Sequence, residues 1–114
     1  MQVQFYSDST VMGTEEVAER IEARVREKLE RFEDRLTRLE VHVRNEHRHT
    51  HGHDDKACTL EARPRGGRAI GVTEHGSTVD DAARKAAITL AQRLQRHFGK
   101  ETKHKKDPRP EKLI

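Results

Sequence analysis

At 114 residues, with 32% hydrophobic and 38% charged content, the chain can form one small domain around a modest core. A single cysteine excludes an intramolecular disulfide and suits a reducing compartment. The sequence has no N-terminal apolar h-region and no membrane-length run, and the early Glu15, Glu16 and Glu19 argue against a transit peptide, so a cytoplasmic protein without a membrane partner is expected.

The elements follow in chain order. Gln2–Tyr6 alternates polar and apolar as a short strand with Val3 and Phe5 facing inward. After a turn through Ser7–Gly13, Thr14 is placed to cap a helix whose first turn carries Glu15 and Glu16, the favourable sign at an N-terminus. Its apolar stripe is Val17, Ile21, Val25, Leu29, Phe32 and Leu36, which predicts a helix running to Glu33 or Arg35. From Thr37 to Glu46 the period drops to two, with Leu39, Val41 and Val43 on one face. A polar His/Gly/Asp loop, 47–55, leads to a third strand with Cys58, Leu60 and Ala62 inward. The turn Pro64-Arg65-Gly66-Gly67 joins it to a fourth, Arg68–Glu74, with Ile70 and Val72 inward.

Thr78-Val79-Asp80-Asp81 has the form of a capping box with Asp in the Glu/Gln place, opening a second helix. Its apolar face holds Val79, Ala82, Ala83, Ala86, Ala87, Leu90, Leu94 and Phe98, the alanines implying close approach to the sheet or the first helix. Gly99 is a candidate stop. The expected organisation is therefore an α/β domain over 1–98 and a basic, disordered tail over 99–114. The order β-α-β-β-β-α predicts an α+β two-layer sandwich, a four-stranded sheet with both helices on one face.

Charge is sorted rather than mixed. The formal net charge is +3, and residues 99–114 hold six basic against three acidic side chains, so residues 1–98 balance to zero. Any electrostatic recognition by the folded body must come from placement. On the first helix Arg20, Arg24, Lys28, Arg31 and Arg35 line one edge of the apolar stripe, while Glu16, Glu19, Glu22, Glu30 and Glu33 lie on the far side. Cations one helical turn apart can each meet a phosphate, which points to nucleic-acid backbone; the bland alternative is a solvated face paired locally with Glu16 and Glu27. On the second helix Lys85, Gln92 and Arg96 share one flank and Arg84 with Gln95 the other, while Arg93 lies nearer the buried face and either meets RNA or braces the sheet.

The segment Lys28-Leu29-Glu30-Arg31-Phe32-Glu33-Asp34-Arg35-Leu36, followed by an alternating strand, resembles the first-helix exit of the hibernation-promoting factors, the ribosome-associated inhibitors also called protein Y. Leu90-Ala91-Gln92-Arg93-Leu94-Gln95-Arg96 is similar to that family's basic C-terminal helix, and Pro64-Arg65-Gly66-Gly67 to its β3–β4 turn. The resemblance covers residues 1–100 and fits the short form of the family, without the separate dimerisation domain. It implies a fold akin to double-stranded-RNA-binding domains. It also implies occupancy of the decoding channel of the small ribosomal subunit, blocking mRNA and tRNA in starved or stationary-phase bacteria. By position, Lys28, Arg31, Arg35, Arg93 and Arg96 would contact rRNA. Helical projection adds Arg20, Arg24, Arg84 and Lys85; Gln92 and Lys100 complete the candidate rRNA-binding set. The sequence departs from the family at Asp80 or Asp81, where an aromatic is common, at Thr89, where a Lys is common, and in its His-rich loop.

That loop is the one metal-like feature: His47, His49, His51 and His53 alternate beside Asp54 and Asp55, a spacing that can chelate Zn²⁺ or Ni²⁺. Its alternative is a solvated hairpin loop. No nucleophile elbow, phosphate-binding glycine loop or zinc-finger spacing occurs, so no enzyme, cofactor or small-molecule substrate is expected. The leading expectation is a ribosome-binding translation inhibitor, monomeric off the ribosome; the alternatives are a His-loop metal-binding protein and a generic structured-RNA-binding module.

Overall fold

The computed structural model describes residues 1–7, 15–46 and 56–106, with side chains described as far as Gly99. Strands β1 (Gln2–Ser7), β2 (Leu36–Asn45), β3 (Lys56–Pro64) and β4 (Ile70–Gly76) form one sheet in the order β1-β2-β3-β4. β1 runs parallel to β2, and the other pairs are antiparallel. Helices α1 (Glu15–Lys28) and α2 (Val79–Lys106) cover one face, giving the expected α+β architecture. Parallel pairing of β1 and β2 requires a crossover, and α1 supplies it.

The alternation read from the sequence is the alternation observed. Leu39, Val41 and Val43 on β2 and Cys58, Leu60 and Ala62 on β3 are buried under the helices, joined by Ile21, Val25, Leu90 and Leu94. Val3 and Phe5 pack partly buried against this core. The β3–β4 turn is closed by Gly67 N–H donating to Pro64 O at 3.2 Å, and Gly66 at its third position takes φ +70°, which glycine adopts without strain.

Two helix ends differ from the periodicity-based expectation. α1 stops at Lys28, and Glu30–Arg35 is a 3-10 helix. Leu29 marks the change, its N–H shared between Val25 O at 3.0 Å and Arg26 O at 3.2 Å, after which Phe32 N–H bonds Leu29 O at 2.9 Å. At three residues per turn, Leu29, Phe32 and Arg35 come into line, which buries Leu29 and Phe32 while turning the chain into β2. At the other end α2 continues through Gly99 to Lys106 rather than stopping. Gly99 is not among the residues with positive φ, and a Cβ there would meet open space, so nothing forces a left-handed cap. Residues 107–114 of the expected tail, Thr14 as the cap of α1, and the His-rich loop 47–55 lie outside the described residues.

Candidate nucleic-acid interface

α1 and α2 pack side by side because α2 presents alanines where they meet. Ala83 and Ala87 are buried and floor a groove of about 370 Å³ whose walls are Arg24, Glu27, Lys28 and Arg84. Arg24 and Lys28 are exposed and make no hydrogen bond or ion pair with any described residue. They stand one helical turn apart, about 5–6 Å between Cβ atoms, a spacing that lets each meet its own phosphate oxygen. Glu27 contributes one opposing charge to the same groove.

The remaining predicted cations divide by position. Toward the start of α2, Arg20 donates from Nε to Asp80 Oδ1 at 3.2 Å and from Nη2 to Asp80 Oδ2 at 2.8 Å. This bidentate pair raises the Arg20 pKa above its ordinary value, the hydrogen bond to Asp80 being the main cause. Asp81 accepts from Arg84 Nη2 at 2.8 Å and lies 3.4 Å from Lys85 Nζ. These contacts hold its carboxyl below the usual carboxylate range, Arg84 contributing most. Thr78 Oγ1 accepts from Asp81 N–H at 3.0 Å, so the N-cap forms as expected, while the Asp81 side chain serves Arg84 and Lys85.

At the other end of the helix pair, Arg31 donates to Gln95 Oε1 at 2.6 Å and lies 4.8 Å from the Phe32 ring centroid. The Arg35 guanidinium sits 4.1 Å over the Phe98 ring, and the two phenylalanines stack with centroids 5.8 Å apart. Both arginines remain exposed, braced from below by aromatic faces. Gln95 belongs to this surface but was not among the predicted residues; its place on the Arg84 flank of α2 was the available signal.

The opposite flank of α2 faces β4 and is a separate surface. Lys85 donates to His75 O at 3.2 Å and Thr89 to Glu74 Oε2 at 2.8 Å, so the residue standing where the family often has Lys ties α2 to the sheet. Arg93 Nη1 donates to Gly71 O at 3.3 Å, a contact that braces the sheet while the side chain remains exposed. Arg96 is exposed beside Arg93, His97 and Ile70 around a hollow of about 330 Å³, and makes no hydrogen bond or ion pair with a described residue. Gln92 is exposed nearby, and the Lys100 side chain is outside the described set. The predicted line of charge is thus an α1-side surface of Arg20, Arg24, Lys28, Arg31, Arg35 and Arg84, with Arg96 on the far flank. Its register breaks at Leu29, where the α-helix gives way to the 3-10 helix.

The candidate metal ligands His47, His49, His51 and His53 lie outside the described residues. Among the described residues no group of three or more His, Cys, Asp or Glu side chains is placed to hold a metal ion, and no helix is long and apolar enough to cross a membrane.

Residues 10–102 match the model of the Sigma 54 modulation protein / S30EA ribosomal protein family. The chain belongs to this family. Membership agrees with the resemblance to the hibernation-promoting factors drawn from Lys28–Leu36 and Leu90–Arg96. Among solved structures, the Thermus thermophilus Protein Y N-terminal domain superposes with a TM-score of 0.67 at 15% identity, covering 85% of this chain and 99% of its own. A ribosomal subunit interface protein from Coxiella burnetii superposes with a TM-score of 0.65 at 13% identity, covering 87% and 99%. At these identities the structures share the fold. No curated protein sequence gives a significant match.

Proposed function

We infer that the chain is a cytoplasmic ribosome-binding translation inhibitor that acts by occupying the decoding channel of the small subunit against rRNA, without catalysis. The observation that carries this reading is the pair Arg24 and Lys28: exposed, unpartnered among the described residues, and one turn apart on the wall of an alanine-floored groove. Arg31 and Arg35 extend the surface from rigid aromatic supports. Since residues 1–98 carry no net charge, attraction over long range is weak, and binding depends on meeting phosphates held in a matching arrangement. Structured RNA offers such an arrangement.

Co-sedimentation with ribosomes and with isolated subunits at physiological salt tests the proposal. Wild type is expected to travel with the small subunit and the Arg24→Glu/Lys28→Glu/Arg31→Glu variant to stay behind. If both sediment alike, the α1 surface is not the binding face. If wild type remains free, or prefers naked RNA duplex to ribosomes, the ribosomal reading fails.

A further inference from the structure

The sheet face turned away from the helices has a chemistry unlike the basic groove. Strand register lays Tyr6, His42, Thr59 and Thr73 in one row across it. The Tyr6 and His42 rings stack with centroids 4.6 Å apart and planes 14° from parallel. Tyr6 is 45% exposed, the one large apolar side chain so exposed among the described residues. Both rings are tethered: the Tyr6 hydroxyl donates to Gln4 Oε1 at 2.7 Å, and His42 Nε2 lies 3.1 Å from Glu40 Oε1. Beside them opens a hollow of about 480 Å³ that also takes in Arg44, Thr59 and Glu61.

The polar groups around this hollow are unequally occupied. Arg44 donates from Nε and Nη2 to Glu46 Oε2 at 3.0 and 2.7 Å and from Nη1 to Thr59 at 3.1 Å, so its charge is compensated. The Thr59 hydroxyl is within 2.8 Å of the Thr73 hydroxyl. Glu61 is exposed and has no hydrogen bond or ion pair with a described residue. What remains available is a flat ring surface and one carboxylate that accepts hydrogen bonds.

We propose that this stacked Tyr6–His42 platform, with Glu61, binds an unpaired guanine base of an RNA strand. A third ring laid against the pair gains stacking, which every base can supply. Guanine alone presents two adjacent donors, N1–H and the N2 amino group, on its pairing edge, and the two oxygens of Glu61 accept both. Adenine and the pyrimidines lack that paired donor edge. Arg44, the cation that lines the hollow, is committed to Glu46, and Glu40 lies nearby, so the phosphate of a free nucleotide meets no unpaired cation within the hollow itself; a base within a strand, whose backbone continues past the sheet, has no such need. The inference is independent of the helical surface.

Tyr6 is the only tyrosine in a chain without tryptophan, so 3-fluorotyrosine places a single ¹⁹F probe at the site. The full chain so labelled would be titrated with the pentaribonucleotides UUGUU, UUAUU, UUCUU and UUUUU and with guanosine monophosphate. The resonance is expected to move saturably, with UUGUU binding at least about fivefold tighter than the other pentamers, in line with one bidentate base-edge contact. Guanosine monophosphate should bind more weakly than UUGUU. Glu61→Gln should remove the guanine preference while stacking still moves the probe. Arg24→Glu/Lys28→Glu should leave the response intact, which separates this site from the ribosome-binding face. A silent probe, equal response to all four pentamers, tighter binding of the mononucleotide, or loss of the response in the Arg24/Lys28 variant would each overturn the proposal.

Discussion

Arg20 on α1 and Asp80 in the first turn of α2 are joined by two hydrogen bonds across sixty residues of sequence, the shorter 2.8 Å. Asp80 falls in the region where the resembled family commonly has an aromatic residue. The pair latches the two helices and occupies the cation at the N-terminal end of the predicted basic line. Both groups are substantially exposed, so the contact contributes more to where positive charge is available than to the stability of the fold.

Asp80→Asn should therefore release Arg20. The expected result is tighter ribosome association, with the slope of log K against log salt steepened by about 0.7–0.9, the value of one additional phosphate contact. The melting temperature should change little. An unaltered slope would mean that Arg20 either exchanges Asp80 for phosphate at no cost or does not reach the ribosome.

The contrast between Arg20 and Arg24 marks the boundary of what the sequence discloses. Both lie on one edge of an amphipathic helix, and helical projection treats them alike. Only the tertiary fold brings Asp80 to one and leaves the other without a described partner. The strands and core were legible because alternation of Leu39, Val41 and Val43, or of Cys58, Leu60 and Ala62, has a single reading once one face must be buried. The end of α1 was not, because Leu29 and Phe32, three residues apart, satisfy both the α-helical and the 3-10 spacing over so short a stretch. Likewise the bond from Arg93 to Gly71 O depends on how α2 lies across β4, which no local pattern encodes.

Gly76 at the end of β4 should tolerate no side chain. A Cβ there would stand 2.7 Å from Ala82 N and 2.7 Å from Asp81 Oδ2, against the N-terminal turn of α2. The helix backbone cannot yield without losing the Thr78 cap and the Asp81 pairs. Gly76→Ala is expected to destabilise the domain by about 1–3 kcal/mol, the usual cost of overpacking, in denaturant unfolding. A neutral effect would mean that α2 can shift away from the sheet.

Glu46 gives a pH-dependent contribution of defined sign. Hydrogen bonds from Arg44, and next from His75 at 2.7 Å, hold its carboxyl below the ordinary value of 4.5. The folded state thus releases the proton more readily than the unfolded state. The resulting stabilisation is fully present above the unfolded-state value and is lost as pH falls through the lower folded-state value. Wild type should melt above Glu46→Gln at neutral pH, and the gap should close on acidification below pH 4.5. A gap that is constant across the range would show that the pair's charge contributes nothing.

Cys58 should be inert in the native protein. Its side chain is fully buried on the inward face of β3, and burial pushes the thiol pKa up to about 12. A disulfide reagent at pH 8 is expected to label it only as fast as the domain opens, with immediate reaction in guanidinium. Rapid labelling of native protein would show that β3 is accessible locally without global unfolding.

Arg93 and Arg96, three residues apart on α2, should separate structure from binding. Arg93 holds the α2–β4 contact through Gly71 O, so Arg93→Gln is expected to cost up to about 1 kcal/mol of stability, the worth of one partly exposed hydrogen bond, with ribosome association unchanged. Arg96 has no such contact among the described residues, and Arg96→Glu should leave the melting temperature unchanged. Its effect on co-sedimentation then decides how far the interface extends. A loss comparable to that of Arg24→Glu would place rRNA around both flanks of α2, since the α1 groove and the Ile70 hollow lie on opposite sides of that helix. Unchanged binding would confine the interface to the α1 side, where Arg24, Lys28, Arg31 and Arg35 already form a continuous surface.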